Sequence, residues 1–288
     1  MKISKIKTNS TNFSSNKKIS HLQKPATKQI YKEIVFKPAK TMDEAKNFAY
    51  INFGIEEFYF EDDLEMANYV NEGLANIKNK FHGKVFMPKR VGFGELDNLD
   101  DEHAFCDIKG EGFYIIKEAY DEEKIMEELE EVTKRALKNL DKINIAKFAR
   151  FKDKYDTMLQ NPNSYSKIEW QSLLQMFDDV ISDLVISEKY YDELPYRYIS
   201  IFDTIYHEMG HIQQIKNSSK FSRTLGKLSP LNLNFQQNRN TQKIAQKVSW
   251  YAQSSPQEFV AEVFVLLCNG RKIDDDVLNL YKYYNGLI

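Results

Sequence analysis

His207-Glu208-Met209-Gly210-His211 is the stretch on which the reading of this 288-residue chain turns. Two histidines four apart on a helix project from one face, so both imidazoles reach a single tetrahedral ion. Glu208 lies between them and is placed to take a proton from a water at the open ligand position. With 5 histidines and 23 glutamates in the chain, an HExxH string arises by chance roughly 0.007 times. The bland alternative is a surface helix carrying two histidines. Around the motif, Ile201, Ile205, Met209, Ile212 and Ile215 form an apolar stripe, which predicts a partly buried helix from about Tyr196 to Lys216. Tyr206 points about 100° away from His207 and is expected in the core. Gly210 costs a helix about 1 kcal/mol relative to alanine, so another backbone is expected to approach it closely.

A zinc site needs a third protein ligand. None of His21, His82 and His103 follows the motif at the short spacing that would complete it. Glu258 and Glu262 stand four apart on a predicted helix from Pro256 to Asn269 and share a face. Two carboxylates so placed repel one another unless a cation is near. One glutamate on the ion, with the other hydrogen-bonded to a ligating histidine, resolves that conflict. Ser255-Pro256-Gln257-Glu258 also has capping-box spacing, so a plain helix cap is the competing role for Glu258.

Working outward, Tyr31 to Phe36 reads as a short strand, and Thr41 to Glu44 as a capping box opening a helix that Gly54 ends. Ile55 to Phe60 is strand-like, and the spacing of Leu64, Ala67, Val70, Leu74 and Ile77 predicts a helix ending near Phe81. Val85 to Phe93 and Phe113 to Tyr120 are further expected strands, with an acidic loop from Gly94 to Asp101 between them. Beyond Asp121 the pattern is helical. Ile125, Leu129, Val132, Ala136 and Leu140 share one face, and helices follow at Lys167 to Ser187 and Asp274 to Tyr284, with a polar loop at Asn217 to Asn240. Strands with helices first and helices afterwards predict an α+β, helix-rich fold with a small amino-terminal sheet. Residues 1–30 read as a disordered polar tail, 31–288 as one domain, and 121–194 as a helical insertion within it.

The bulk properties exclude more than they assign. A net charge of −2 gives no general attraction to nucleic acid, and the basic stretches Lys142 to Lys154 and Lys216 to Lys227 read as solvated surface. No apolar run has the length of a membrane span. The amino-terminal stretch lacks a secretory apolar core, so the expected location is the cytoplasm, or outside the cell by a non-classical or secretion-system route. Cys106, in an expected strand, and Cys268, in an expected helix, read as reduced buried thiols rather than a disulfide.

The segment Tyr251-Ala-Gln-Ser-Ser-Pro-Gln-Glu258-Phe-Val-Ala-Glu262-Val-Phe264, taken with His207 to His211, resembles the gluzincin metallopeptidases. Within them it is similar to the anthrax lethal factor catalytic domain and the Pro-Pro endopeptidases, which share a tyrosine seven residues before the ligand glutamate and then E-aromatic-x-A-E. The resemblance implies a zincin-like fold and a zinc endopeptidase, with one catalytic Zn2+ held by His207, His211 and Glu258. In that arrangement Glu208 is the general base, Glu262 orients a ligand histidine, and Tyr251 donates to the oxyanion when zinc-bound water attacks. It also implies a protein substrate added as a strand to an edge of the sheet, for which residues 112–117 are the candidate, with an internal strand as the alternative. A toxin or delivered effector is the biological role implied. A zincin fold kept as an idle binding or scaffold protein is the rival reading. Those relatives are secreted, whereas no signal peptide is expected from residues 1–30, and 121–194 is long for a minimal peptidase.

Overall fold

Arg90–Gly94 and Gly112–Ile116 form the centre of a four-stranded sheet in a computed structural model that describes residues 31–94, 103–143, 145–185, 200–218 and 230–287. The strands are β1 (Glu57–Tyr59), β2 (Arg90–Gly94), β3 (Ala104–Cys106) and β4 (Gly112–Ile116), in the order β1-β2-β4-β3. β1 and β2 are parallel, β2 and β4 are parallel, and β3 runs antiparallel to β4 with Phe105 opposite Tyr114. A parallel pair needs a crossover, and α2 (Leu64–Lys80) supplies it between β1 and β2. Its apolar face, Met66, Val70, Leu74 and Ile77, is fully buried together with Phe113 and Ile115 of β4. The fold is therefore α+β and helix-rich, as the element order predicts.

The first helix, α1 (Met42–Phe53), starts and stops where its punctuation says. Thr41 accepts a hydrogen bond from the Glu44 backbone N–H at 3.2 Å, and Gly54 closes the helix at φ +74°. That left-handed conformation suits glycine because it has no Cβ.

Several elements differ from the sequence reading. Tyr31 to Phe36 is not a strand: the N–H and C=O of Ile34 both pair with the Asn79 side-chain amide at 2.8 Å. Asn68 clamps Ala39 in the same way, at 2.7 and 3.0 Å. A third amide shortens the expected strand at Val85 to Phe93 to its last part, β2. There Gln213, wholly buried, takes both backbone groups of Phe86 at 2.8 Å. In each case a side chain on a helix satisfies backbone groups that a ladder would otherwise use. The strand expected over Phe113 to Tyr120 gives way after Ile116 to a 3₁₀ turn.

The candidate edge at residues 112–117 is also overturned. β4 lies between β2 and β3 and spends its backbone groups on both, so the edge on that side of the sheet is β3.

Three helices, α3 (Glu122–Lys138), α4 (Ile145–Gln160) and α5 (Lys167–Val185), enclose a core of their own around Leu129, Phe151, Trp170, Leu173 and Phe177. The sequence reading singled out α3 and α5 but not α4. Residues 186–194, the rest of the expected insertion, lie outside the described residues, as do 1–30. The compact unit itself begins at Glu33.

Next come α6 (Asp203–Asn217), α7 (Pro230–Gln237), α8 (Arg239–Gln246), α9 (Pro256–Cys268) and α10 (Asp275–Tyr283). Helices α7 and α8 replace part of the loop expected over Asn217 to Asn240. Among their described side chains, Phe235, Thr241 and Ala245 are buried. Asn238 separates the two helices by accepting from the N–H groups of Asn240 and Thr241. Ile201 precedes α6 and is 37 % exposed, so it is not part of the buried stripe, whereas Ile205, Met209 and Ile212 are fully buried. Among the described residues, no helix is long and apolar enough to cross a membrane.

Candidate metal centre

The site is made by the packing of α6 on α9, and Gly210 sets how close they come. A Cβ at that position would lie 2.7 Å from the Ala261 Cα and 3.0 Å from the Phe264 Cβ. The approach expected from the glycine is therefore that of the helix carrying Glu258 and Glu262. Tyr206, on another face of α6, is buried in the core.

At this close approach, residues from both helices meet. The Nε2 atoms of His207 and His211 are 3.1 Å apart. The Glu258 Oε2 lies 3.0 Å from the first and 3.4 Å from the second. Tetrahedral zinc with ligands at 2.0–2.1 Å requires ligand atoms about 3.3 Å from one another. The three edges match that spacing, and the donor set of two imidazoles and one carboxylate is one that zinc takes. Among the described residues, these three form the group able to hold a metal ion.

Glu262, 6 % exposed, sits behind the first histidine, with its Oε1 2.9 Å from His207 Nδ1. With the Nδ1 proton given to Glu262, the Nε2 lone pair faces His211 and Glu258. This is the outer hydrogen bond that fixes tautomer and ring orientation in metal-binding histidines. Burial alone would lower the affinity of His207 for a proton, but its hydrogen bonds to Glu258 and Glu262 carry its pKa up to about 10. Burial would likewise raise Glu258. The charge of His211 and hydrogen bonds from both histidines instead hold its carboxyl well below the usual carboxylate range.

The two roles considered for Glu258 prove compatible. Its backbone N–H donates to the Ser255 hydroxyl at 3.1 Å, capping α9. Its carboxylate turns the other way, to the histidines.

Glu208 is 5 % exposed and lines a cleft of about 350 Å³ together with His207, His211, Glu258 and Tyr251. The Tyr251 ring lies over the His207 side of that cleft, with ring centres 5.8 Å apart. Every site residue expected from sequence is therefore at one place: five on the cleft and Glu262 directly behind it.

The sequence reading missed other residues that line the cleft. Among them are β3 with its following turn, Ala104 to Ile108, and Gln214, Ile215, Tyr284 and Asn285. Gln214 follows His211 by three residues on the same helix, so the face-sharing rule was sufficient to flag it. Nothing local marks Tyr284. Cys106 also lines the cleft, and both cysteines are free thiols; burial pushes the Cys106 thiol far above its ordinary value.

No protein-family model matches this chain, and neither the curated proteins nor the solved structures contain a significant match to it.

Proposed function

We propose that this chain is a zinc-dependent endopeptidase of the gluzincin type, with a zincin-like fold and a site resembling that of the anthrax lethal factor catalytic domain. The observation that carries the proposal is the triangle of His207 Nε2, His211 Nε2 and Glu258 Oε2, with edges of 3.0, 3.1 and 3.4 Å. A single zinc bound there would polarise a scissile carbonyl and lower the pKa of water to about 7.

The remaining steps fall to side chains of the chain itself. Glu208, on the cleft and nearly buried, takes the proton of the attacking water and passes it to the leaving amine. Tyr251, beside His207, donates its hydroxyl to the oxygen of the carbonyl as negative charge develops there. Glu262 holds the His207 ring in place throughout.

The substrate is an extended protein segment. β3 borders the cleft and pairs with β4 through alternate residues: Ile116 N–H donates to His103 C=O at 2.9 Å, and Asp107 N–H to Gly112 C=O at 3.0 Å. The backbone groups of Ala104 and Cys106 then face the other side, where no strand pairs with them among the described residues. A peptide added along that edge runs past the metal ligands. The biological role that fits is a toxin or effector acting on a protein target.

The test is hydrolysis of a randomised peptide library by zinc-loaded protein. Cleavage is expected, with loss on chelation and loss in Glu208→Gln while its zinc is retained. Stoichiometric zinc with no cleavage overturns the catalytic reading and leaves a zinc-bearing binding protein.

A further inference from the structure

The turn that joins α3 to α4 carries a surface for which the metal chemistry has no use. Core packing is already provided there by Val132, Ala136, Ile143 and Phe148, all buried. The same stretch nevertheless leaves three large aliphatic side chains in solvent: Leu137 is 50 % exposed, Leu140 40 % and Ile145 65 %. Periodicity places Leu140 on the buried face of α3, but that helix ends at Lys138 and Leu140 opens a 3₁₀ turn instead. Aliphatic groups held in water gain free energy on contact with an apolar phase, and several grouped at one turn mark a contact surface.

Charge is sorted along the same helix. The first part of α3 exposes Glu122, Glu123, Glu127, Glu128, Glu130 and Glu131. Its last part exposes Lys134, Arg135 and Lys138, and α4 adds Arg150, against Asp141 in the turn. Lys134 and Arg135 also pair with Glu130 and Glu131 one helical turn back, but exposed pairs of this kind are weak and yield to other anions. With 17 residues, α3 carries the basic turn about 25 Å along its axis from the end that follows β4.

We propose that the turn between α3 and α4 docks this chain on an anionic lipid surface, with Leu137, Leu140 and Ile145 entering the boundary between headgroups and acyl chains. Lys134, Arg135, Lys138 and Arg150 then face the lipid phosphates and carboxylates, and the glutamate-rich end of α3 is repelled, so the module stands turn-first on the surface. Apolar burial and attraction to anionic headgroups act together in such contacts, and each basic residue near the surface contributes roughly fivefold in affinity. A nucleic acid satisfies the charge but not the rest. Single strands are held by stacking on exposed aromatic rings, and the one ring between residues 134 and 150, Phe148, is buried. The inference is independent of the zinc chemistry.

The experiment is sedimentation of the full chain with vesicles of phosphatidylcholine alone and of phosphatidylcholine mixed with phosphatidylserine. Binding to the mixed vesicles only is expected, weakening as salt rises from 0.1 to 1 M. Two variants alter exposed side chains alone: Leu140→Asn with Ile145→Asp, and Lys134→Gln with Arg135→Gln and Lys138→Gln. Each is expected to lose at least tenfold in vesicle affinity. A third, Ile145→Trp, keeps the apolar contact and is expected to shift its added fluorescence to the blue on the mixed vesicles. Failure of the wild type to bind them overturns the proposal, as does equal binding to phosphatidylcholine alone. Wild-type affinity in the first two variants, or an unshifted Ile145→Trp protein that is bound, places the contact elsewhere and equally overturns it. Retention of single-stranded RNA without vesicle binding overturns it in favour of a nucleic-acid surface.

Discussion

Replacing Gly210 by alanine is the sharpest physical test of how this site is assembled. The new Cβ would sit 2.7 Å from the Ala261 Cα, 3.0 Å from the Phe264 Cβ and 3.2 Å from the Ala261 carbonyl oxygen. Two of these three atoms are backbone, so no rotamer change relieves the overlap, and α6 and α9 must separate by about 1 Å to restore ordinary contact. Overpacking of this kind costs about 1–3 kcal/mol, and a backbone neighbour places it at the upper end. Alanine returns about 1 kcal/mol of helix propensity. The net expectation is a loss of about 2 kcal/mol, or roughly 4–8 °C in melting temperature for a chain of this size. The separation also pulls Glu258 from the histidines, and a metal site tolerates only about 0.5 Å of such error. Zinc affinity is therefore expected to fall at least tenfold. Urea unfolding of the chelated protein and zinc titration against a competing chelator measure the two effects separately. A Gly210→Ala protein as stable as wild type, with undiminished zinc affinity, would refute the claim that this contact sets the site.

Three further outcomes follow from the same structure. Glu262→Gln keeps an acceptor beside His207 Nδ1 but removes its charge, and zinc affinity is expected to drop about 10–100-fold, read by chelator competition; an unchanged affinity would make Glu262 a bystander. In chelated protein the His207 pKa is raised from 6.5 to about 10, so its protonated form stabilises the fold fully below about pH 6.5, and that contribution is lost as pH rises through about 10. The urea midpoint of chelated protein is expected to fall across that window while zinc affinity rises, because the ion displaces the proton; a midpoint that climbs with pH contradicts this. Phe151→Ala empties the core of the α3–α5 module, where the ring packs against Phe177 at 4.8 Å between centres, and is expected to cost about 3–5 kcal/mol. Zinc content is expected to stay at one ion per chain, since that core is separate from the metal cluster; loss of zinc would show that the two are coupled.

The site was legible in sequence because its chemistry is local. HExxH and ExxxE each place two residues on one helix face by periodicity alone, and Gly210 announced the close contact that joins the two helices. The spacing could not show Ala104 to Ile108 or Tyr284 as cleft lining, since they stand more than 60 positions from the HExxH motif, before it and after it. Strand order was equally out of reach. Residues 113–116 are apolar and aromatic, as an exposed substrate-binding edge or an internal strand would be, and only the pairing of β3 outside β4 decides between them. The missed and shortened strands have a common cause. Asn79, Asn68 and Gln213 satisfy backbone groups from helices remote in sequence, and a single amide leaves no periodic trace. Helices α7 and α8 were hidden by the polar composition of Asn217 to Asn240, with Gly226 and Pro230 inside it, which reads as a loop.

The measurement that bears most directly on the central claim is metal content by elemental analysis, on protein purified in the presence of zinc. It is made on wild type, His211→Ala and Glu258→Gln. One zinc per wild-type chain, lost or sharply weakened in both variants, is the predicted result. A wild-type protein without zinc contradicts the metal site itself. Zinc lost with His211 but kept at full affinity in Glu258→Gln contradicts the assignment of the third ligand.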